Sequence, residues 1–138
     1  MADELLSSLR ISAAGMKAQG TRLRVISENI ANANSLPTDP GGDPYQRKLV
    51  TFKNRLDREL GMETVSVKKI MPDRSEFARR FDPAHPAADA DGYVLAPNVN
   101  VLIEMMDMRE AQRSYEANLT ALRSSRRMMQ GAIRLLRR

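Results

Sequence analysis

The sequence predicts a mainly α chain with a small β module: long antiparallel N- and C-terminal helices forming a coiled-coil pair, with an extended, partly β segment inserted between them. Three observations carry that expectation. Apolar side chains recur at steps of four and three through Val101, Met105, Met108, Tyr115, Leu119, Leu122, Met129, Ile133 and Leu136, the spacing of a helix packed along another helix. A second stripe, Leu5, Leu9, Ala13, Met16, Leu23, Ile26 and Ile30, repeats the helical period near the N-terminus. The intervening residues are broken by prolines and glycines into turns and short strand-like runs. The expected division is a terminal helical domain, residues 1–35 and 98–138, and a central β-rich or extended segment, residues 36–97.

The C-terminal helix is the longest element. After Pro97 there is no proline, and Gly131 is the only glycine. At 1.5 Å per residue such a helix would run roughly 50–60 Å, so the chain is expected to be elongated and the helix to need a partner. Gln112 and Arg126 interrupt its seam, which suits several different neighbours better than a single zipper partner. Met105, Met108 and Met129 are read as core on that seam, with Met106 and Met128 beside it.

The N-terminal helix spans Glu4 to about Ala33. Gly15 and Gly20 each weaken it by about 1 kcal/mol relative to alanine, so it is expected to be unstable alone and to pair with the C-terminal seam. Two helices with wide stripes leave apolar area uncovered, and further copies of the chain would cover it. The candidate packing and subunit-interface residues are therefore Leu9, Met16, Leu23, Ile26, Ile30, Val101, Met105, Met108, Tyr115, Leu119, Leu122, Met129, Ile133 and Leu136. The helix should end in Asn29–Ser35, with a left-handed cap near Asn34. Asn29, Asn32, Asn34 and Asn118 are candidates for polar contacts between subunits.

Residues 36–43 read as a turn or loop. Tyr45–Phe52 and Thr64–Ile70 read as strands, Asn54–Leu60 as a short helix or a loop, Ser75–Asp91 as mostly extended or looped, and Gly92–Ala96 as a strand. Asn98 or Asn100 can cap the long helix.

Composition excludes several classes. No cysteine is present, so disulfides and thiol chemistry are ruled out. Acids near the start, in place of the lysines of a secretory signal, predict a chain that begins in the cytosol and, if exported, leaves uncleaved. His85 is the only histidine, too little for a triad or a zinc site. Around Asp89–Gly92 a calcium loop would put Ala87 first and Asn98 twelfth, both without the required carboxylates. Gly41–Gly42 lacks the Lys and Ser/Thr of a phosphate loop. Glu104, Asp107 and Glu110 share a helix face with Arg109 and Arg113 and read as surface ion pairs. No catalytic residue, metal site or cofactor is expected, and the chain is not read as an enzyme.

The formal charge is +5, and Arg123, Arg126, Arg127, Arg134, Arg137 and Arg138 follow the last acid, Glu116. The alternative reading is a basic helical nucleic-acid-binding protein, but no aromatic stacks among these arginines. An amphipathic membrane-surface helix at Met128–Leu136 is a further rival.

Several motifs stand in one order along nearly the whole chain: Ile11–Gln19, Asn29–Asn34, Pro40–Tyr45, Asp82–Pro86, Asp89–Val94, Pro97–Asn100, Glu104–Met108 and Arg113–Asn118. On these the sequence resembles the bacterial flagellar axial rod and hook family, in its proximal-rod branch. It departs from the usual pattern at Arg126-Arg127, where one basic residue is the rule. The resemblance implies terminal segments paired as a coiled coil facing the inside of a hollow cylinder, with the central part outside. It implies a shaft that transmits motor torque, and a subunit exported unfolded by the flagellar type III apparatus and assembled in the periplasm. The implied partners are copies of the chain and the other rod proteins FlgB, FlgF, FlgG and FliE, with no nucleic acid and no stable membrane insertion.

Overall fold

The computed structural model describes residues 2–59 and 61–136, so Met1, Leu60, Arg137 and Arg138 lie outside the described residues. The elements are α1 (Ala2–Ala31), β1 (Lys48–Asp57), β2 (Met62–Pro72), β3 (Ala78–Phe81), β4 (Tyr93–Ala96) and α2 (Val101–Leu136). This is the expected pair of long terminal helices with a small β module between them. β1 pairs with β2 and β3 with β4, in two separate two-stranded sheets.

The chain divides into two compact units. Unit 1 combines Met1–Leu23, Thr51–Lys69 and Arg109–Arg138, and unit 2 combines Arg24–Val50 and Ile70–Met108.

In unit 1 the early part of α1 lies against the late part of α2. Ser8 and Ser125 share a hydrogen bond between their hydroxyls at 2.9 Å. Seven residues further along α1, a Cβ on Gly15 would stand 2.7 Å from Oδ1 of Asn118, seven residues back along α2. The helices therefore run antiparallel, as expected, and the close approaches fall at Ser8–Ser125 and Gly15–Asn118; Ser12, Gly15, Ala18, Ala111 and Ser125 are buried. This corrects the seam read from bulk. Of its members, Met108, Tyr115, Leu119, Leu122 and Met129 are half-buried, whereas Val101, Met105, Gln112, Arg126, Ile133 and Leu136 are exposed. Apolar periodicity weights large side chains, but two backbones approach most closely where side chains are short, so the inward line falls beside the predicted one. Met105 is accordingly not core.

Beside the β1–β2 connection Gly61 takes φ 62°, and Asp57 Oδ1 accepts the Glu59 amide at 3.1 Å. Residues 54–57, read from sequence as helix or loop, continue β1. Thr51 and Thr64 hydroxyls reinforce the pairing by donating to the Lys69 and Arg55 carbonyls. A polar run such as Lys53–Arg55 carries no inward-facing alternation, and only the partner strand makes it β.

In unit 2, β3 and β4 pair antiparallel with Phe81 opposite Tyr93 and Arg80 opposite Val94. Val94 is fully buried, and the Phe81 and Tyr93 rings meet edge to face at 5.2 Å. The connection closes on Asp89, whose carboxylate accepts the Asp91 and Tyr93 amides. Gly92 sits at φ 81°, where a side chain would be strained. His85 has a loop role, its Nδ1 accepting the Ala87 amide at 3.1 Å.

The helix ends are decided locally. Asn100 caps α2, its Oδ1 accepting the Leu102 and Ile103 amides. α1 does not end in a left-handed asparagine: no non-glycine residue among those described has positive φ. The last turn tightens instead, with Ala33 N donating to Ile30 O and Ser35 N to Asn32 O, while the Asn32 amide donates to Glu28 O at 2.8 Å.

The close approach at Gly15 sets a first test. Gly15→Val should lower unfolding stability by about 1–3 kcal/mol, the cost of overpacking. Asn118→Ala in the same chain should recover part of that loss in a urea-denaturation double-mutant cycle.

Candidate assembly interface

Two arrangements bear on function: a polar clasp that fixes the elements of unit 2, and bulky apolar side chains that the fold leaves outside.

The clasp is built on Glu104, one turn into α2 and only 1% exposed. Its Oε1 accepts from Arg47 Nε at 2.6 Å and its Oε2 from Asn29 Nδ2 at 3.0 Å. Arg47 lies just before β1 and also reaches Asp73, just after β2, at 3.3 Å. Asn29 closes the rest: Nδ2 donates to the Lys48 carbonyl, and Oδ1 accepts from the Lys48 amide and the Tyr45 hydroxyl, each at 2.9 Å. Asn98 Oδ1 takes the Arg47 amide at 2.8 Å, and its Nδ2 donates to the Asp73 carbonyl at 3.1 Å. Lys48 pairs with Glu28.

Charges in the clasp follow its geometry. Burial works to lower the Arg47 pKa, but the hydrogen bond and charge of Glu104, then those of Asp73, raise it above its ordinary value. Burial raises the Tyr45 pKa, helped by Glu28 and Glu104. The Ser75 amide, 2.9 Å from Asp73 Oδ1, holds that carboxyl below its ordinary 3.8, with the Ser75 hydroxyl and Arg47 assisting against desolvation.

Two expectations are corrected here. Glu104 is not part of a surface ion-pair ladder, because its cation comes from Arg47, far away in sequence. Asn29 does not offer its amide to a neighbouring subunit, because both ends of that amide are used within the chain and the side chain is buried. Asn118 likewise donates to Ser114 O at 2.8 Å and lies over Gly15. Asn32 is half-buried at the α1 terminus, and Asn34 is exposed.

The outward apolar side chains form two groups. In unit 2, the first turns of α2 expose Val101, Leu102, Ile103, Met105 and Met106, with Leu102 at 69%. In unit 1, Met128, Ile133, Leu135 and Leu136 are exposed near the end of α2, Leu136 at 89%. On α1, Leu9, Met16, Leu23 and Ile30 are half-buried, and Ile26 is buried. Leu102, Ile103 and Leu135 were missed from sequence because they fall off the seam. Among the described residues no helix is long and apolar enough to cross a membrane, and no cluster could hold a metal.

Comparison with known proteins assigns these helices. A family model described as "Flagella basal body rod protein" matches residues 9–35, and one described as "Flagellar basal body rod FlgEFG protein C-terminal" matches residues 90–135. The flagellar basal-body rod protein FlgC of Agrobacterium fabrum is 53% identical over 98% of this chain and 97% of its own. The chain belongs to the FlgC family of flagellar basal-body rod proteins. FlgC proteins of Borreliella burgdorferi and Salmonella typhimurium are each 39% identical, over 96% and 91% of this chain. Membership makes this chain a structural subunit of the flagellar basal body that assembles with other rod components, and not an enzyme. The nucleic-acid reading finds no support among these rod proteins. The two matched ranges contain α1's clasp residue Asn29 and α2's clasp residue Glu104, so both halves of the buried contact lie in rod-family sequence.

Arg47→Ala would leave the Glu104 carboxylate buried without its cation. The loss should be on the order of 3 kcal/mol in urea unfolding, and Glu104→Gln should cost less than Arg47→Ala. Asp73, whose folded pKa is depressed, stabilises fully above its ordinary 3.8. That contribution is lost as pH falls through the depressed value. A pH series of unfolding midpoints should therefore decline below about 4, and Asp73→Asn should flatten part of the decline.

Proposed function

We propose that the chain polymerises through the outward faces of its terminal helical segments, 1–35 and 98–138, into a hollow shaft in the periplasm, with residues 36–97 lying outside them. The shaft transmits motor torque and conducts exported subunits. Its neighbours are further copies and the rod proteins FlgB, FlgF, FlgG and FliE, and the subunit arrives unfolded through the flagellar type III export apparatus.

The observation that carries this reading is the exposure of Leu102, Ile103, Met105 and Met106 together on the first turns of α2. A contiguous bulky apolar patch on a soluble chain marks a surface that another protein covers. The packing positions named from sequence divide accordingly. The half-buried ones, such as Leu9, Met16 and Leu122, serve the helix pair, and Val101, Met105, Ile133 and Leu136 face neighbours. Asn34, exposed at the end of α1, supplies a polar contact at the same boundary.

Leu102→Asp tests the reading without disturbing the monomer, since Leu102 is exposed and an acid near a helix N-terminus is favourable. Sedimentation velocity and negative-stain imaging should show assembly of the parent chain and its loss in the variant. Unfolding stability should move by less than about 0.5 kcal/mol. A variant that assembles like the parent would remove this face from the interface.

A further inference from the structure

The chain carries nine methionines, and the fold places them unequally. Met16, Met108 and Met129 are half-buried on the helices, and Met62 and Met71 are exposed at opposite ends of β2. At the start of α2 two adjacent thioethers stand outside, Met105 at 49% and Met106 at 64% exposure. Both share a helix face with Leu102, three residues before one and four before the other. Ile103, also exposed, flanks them. The sulfurs therefore form part of the same apolar face that is read above as a subunit contact.

That face has no spare donor in the first turn of its own helix. Asn100 Oδ1 accepts the Leu102 and Ile103 amides at 3.1 and 3.4 Å, and the Asn100 carbonyl accepts the Glu104 amide at 3.0 Å. An oxygen added to either sulfur would be hydrated in a free subunit but would find no free amide in that turn once a neighbour excluded water. Burying such a dipole without a donor opposes contact.

We propose that Met105 and Met106 are an oxidation site that controls assembly: peroxide converts their thioethers to sulfoxides in the unassembled subunit and blocks docking of the α2 face, and reduction restores it. The proposal rests on the self-assembly reading above and adds a chemical control on that face. A sulfur lone pair attacks a peroxide oxygen, the O–O bond breaks and water leaves, so sulfur loses the two electrons that the peroxide gains. A methionine sulfoxide reductase reverses the step with two thiols, which become a disulfide while the oxygen leaves as water. In an assembled subunit a neighbour covers the same sulfurs, so the site responds before assembly.

Mild hydrogen peroxide treatment of the full chain tests it. A partly oxidised sample is allowed to assemble, split by sedimentation, and mapped by peptide mass spectrometry. Sulfoxide at residues 105 and 106 should collect in the free fraction, and sulfoxide at Met62 and Met71 should appear in both; this readout needs no variant. Oxidation should weaken association of the parent roughly tenfold or more by sedimentation velocity. Reductase with dithiothreitol should restore it, and far-UV circular dichroism should not change. Met105→Leu/Met106→Leu, compared with its own untreated form, should respond by less than about twofold. An oxidised parent that associates like the reduced one, sulfoxide at 105 and 106 shared evenly between fractions, a double variant as sensitive as the parent, or helicity lost on oxidation would overturn the oxidation site while leaving assembly through α2 intact. A parent chain that stays monomeric at every concentration would overturn both.

Discussion

The Glu104 carboxylate, sealed from water, is the constraint on which unit 2 depends. A buried charge is costly unless it is paired and its remaining lone pairs are satisfied. Glu104 meets both conditions only when Arg47 and Asn29 arrive together. Arg47 in turn sets the exit of β2 through Asp73, and Asn29 sets the entry to β1 through both backbone groups of Lys48. One carboxylate therefore fixes the end of α1, the mouth of the hairpin and the start of α2. The contact is also selective, because a shifted register would bury the carboxylate without a cation.

Unit 1 is held differently. A hydroxyl pair at Ser8 and Ser125 and the Asn118 amide lying on Gly15 tie α1 to α2. Short side chains gain less from the hydrophobic effect than leucines would, but they leave large apolar residues on outer faces. Half-buried side chains such as Leu9, Met16 and Leu122 stand beside these short ones, while Met128, Ile133, Leu135 and Leu136 are exposed. Arg10 and Glu59 are paired inside the unit, where Lys17, Arg55, Asp57 and Arg58 line the same groove.

By itself the sequence determined the two helices, the strands over residues 48–52, 64–70 and 93–96, the asparagine cap and the rod family, because each is a local signal: a period, a turn residue, a motif in order. Contacts between distant residues were not legible in this way. Glu104 looked like its neighbours Asp107 and Glu110 until folding brought Arg47 to it, and Asn29 looked free until Lys48 and Tyr45 closed around it. Residues 54–57 became strand only through pairing with β2, and the close approaches of the helices fell at Ser8, Gly15, Asn118 and Ser125, which carry no apolar period. Periodicity records which side chains are apolar, whereas burial depends on which backbones can approach, and only the tertiary structure decides that.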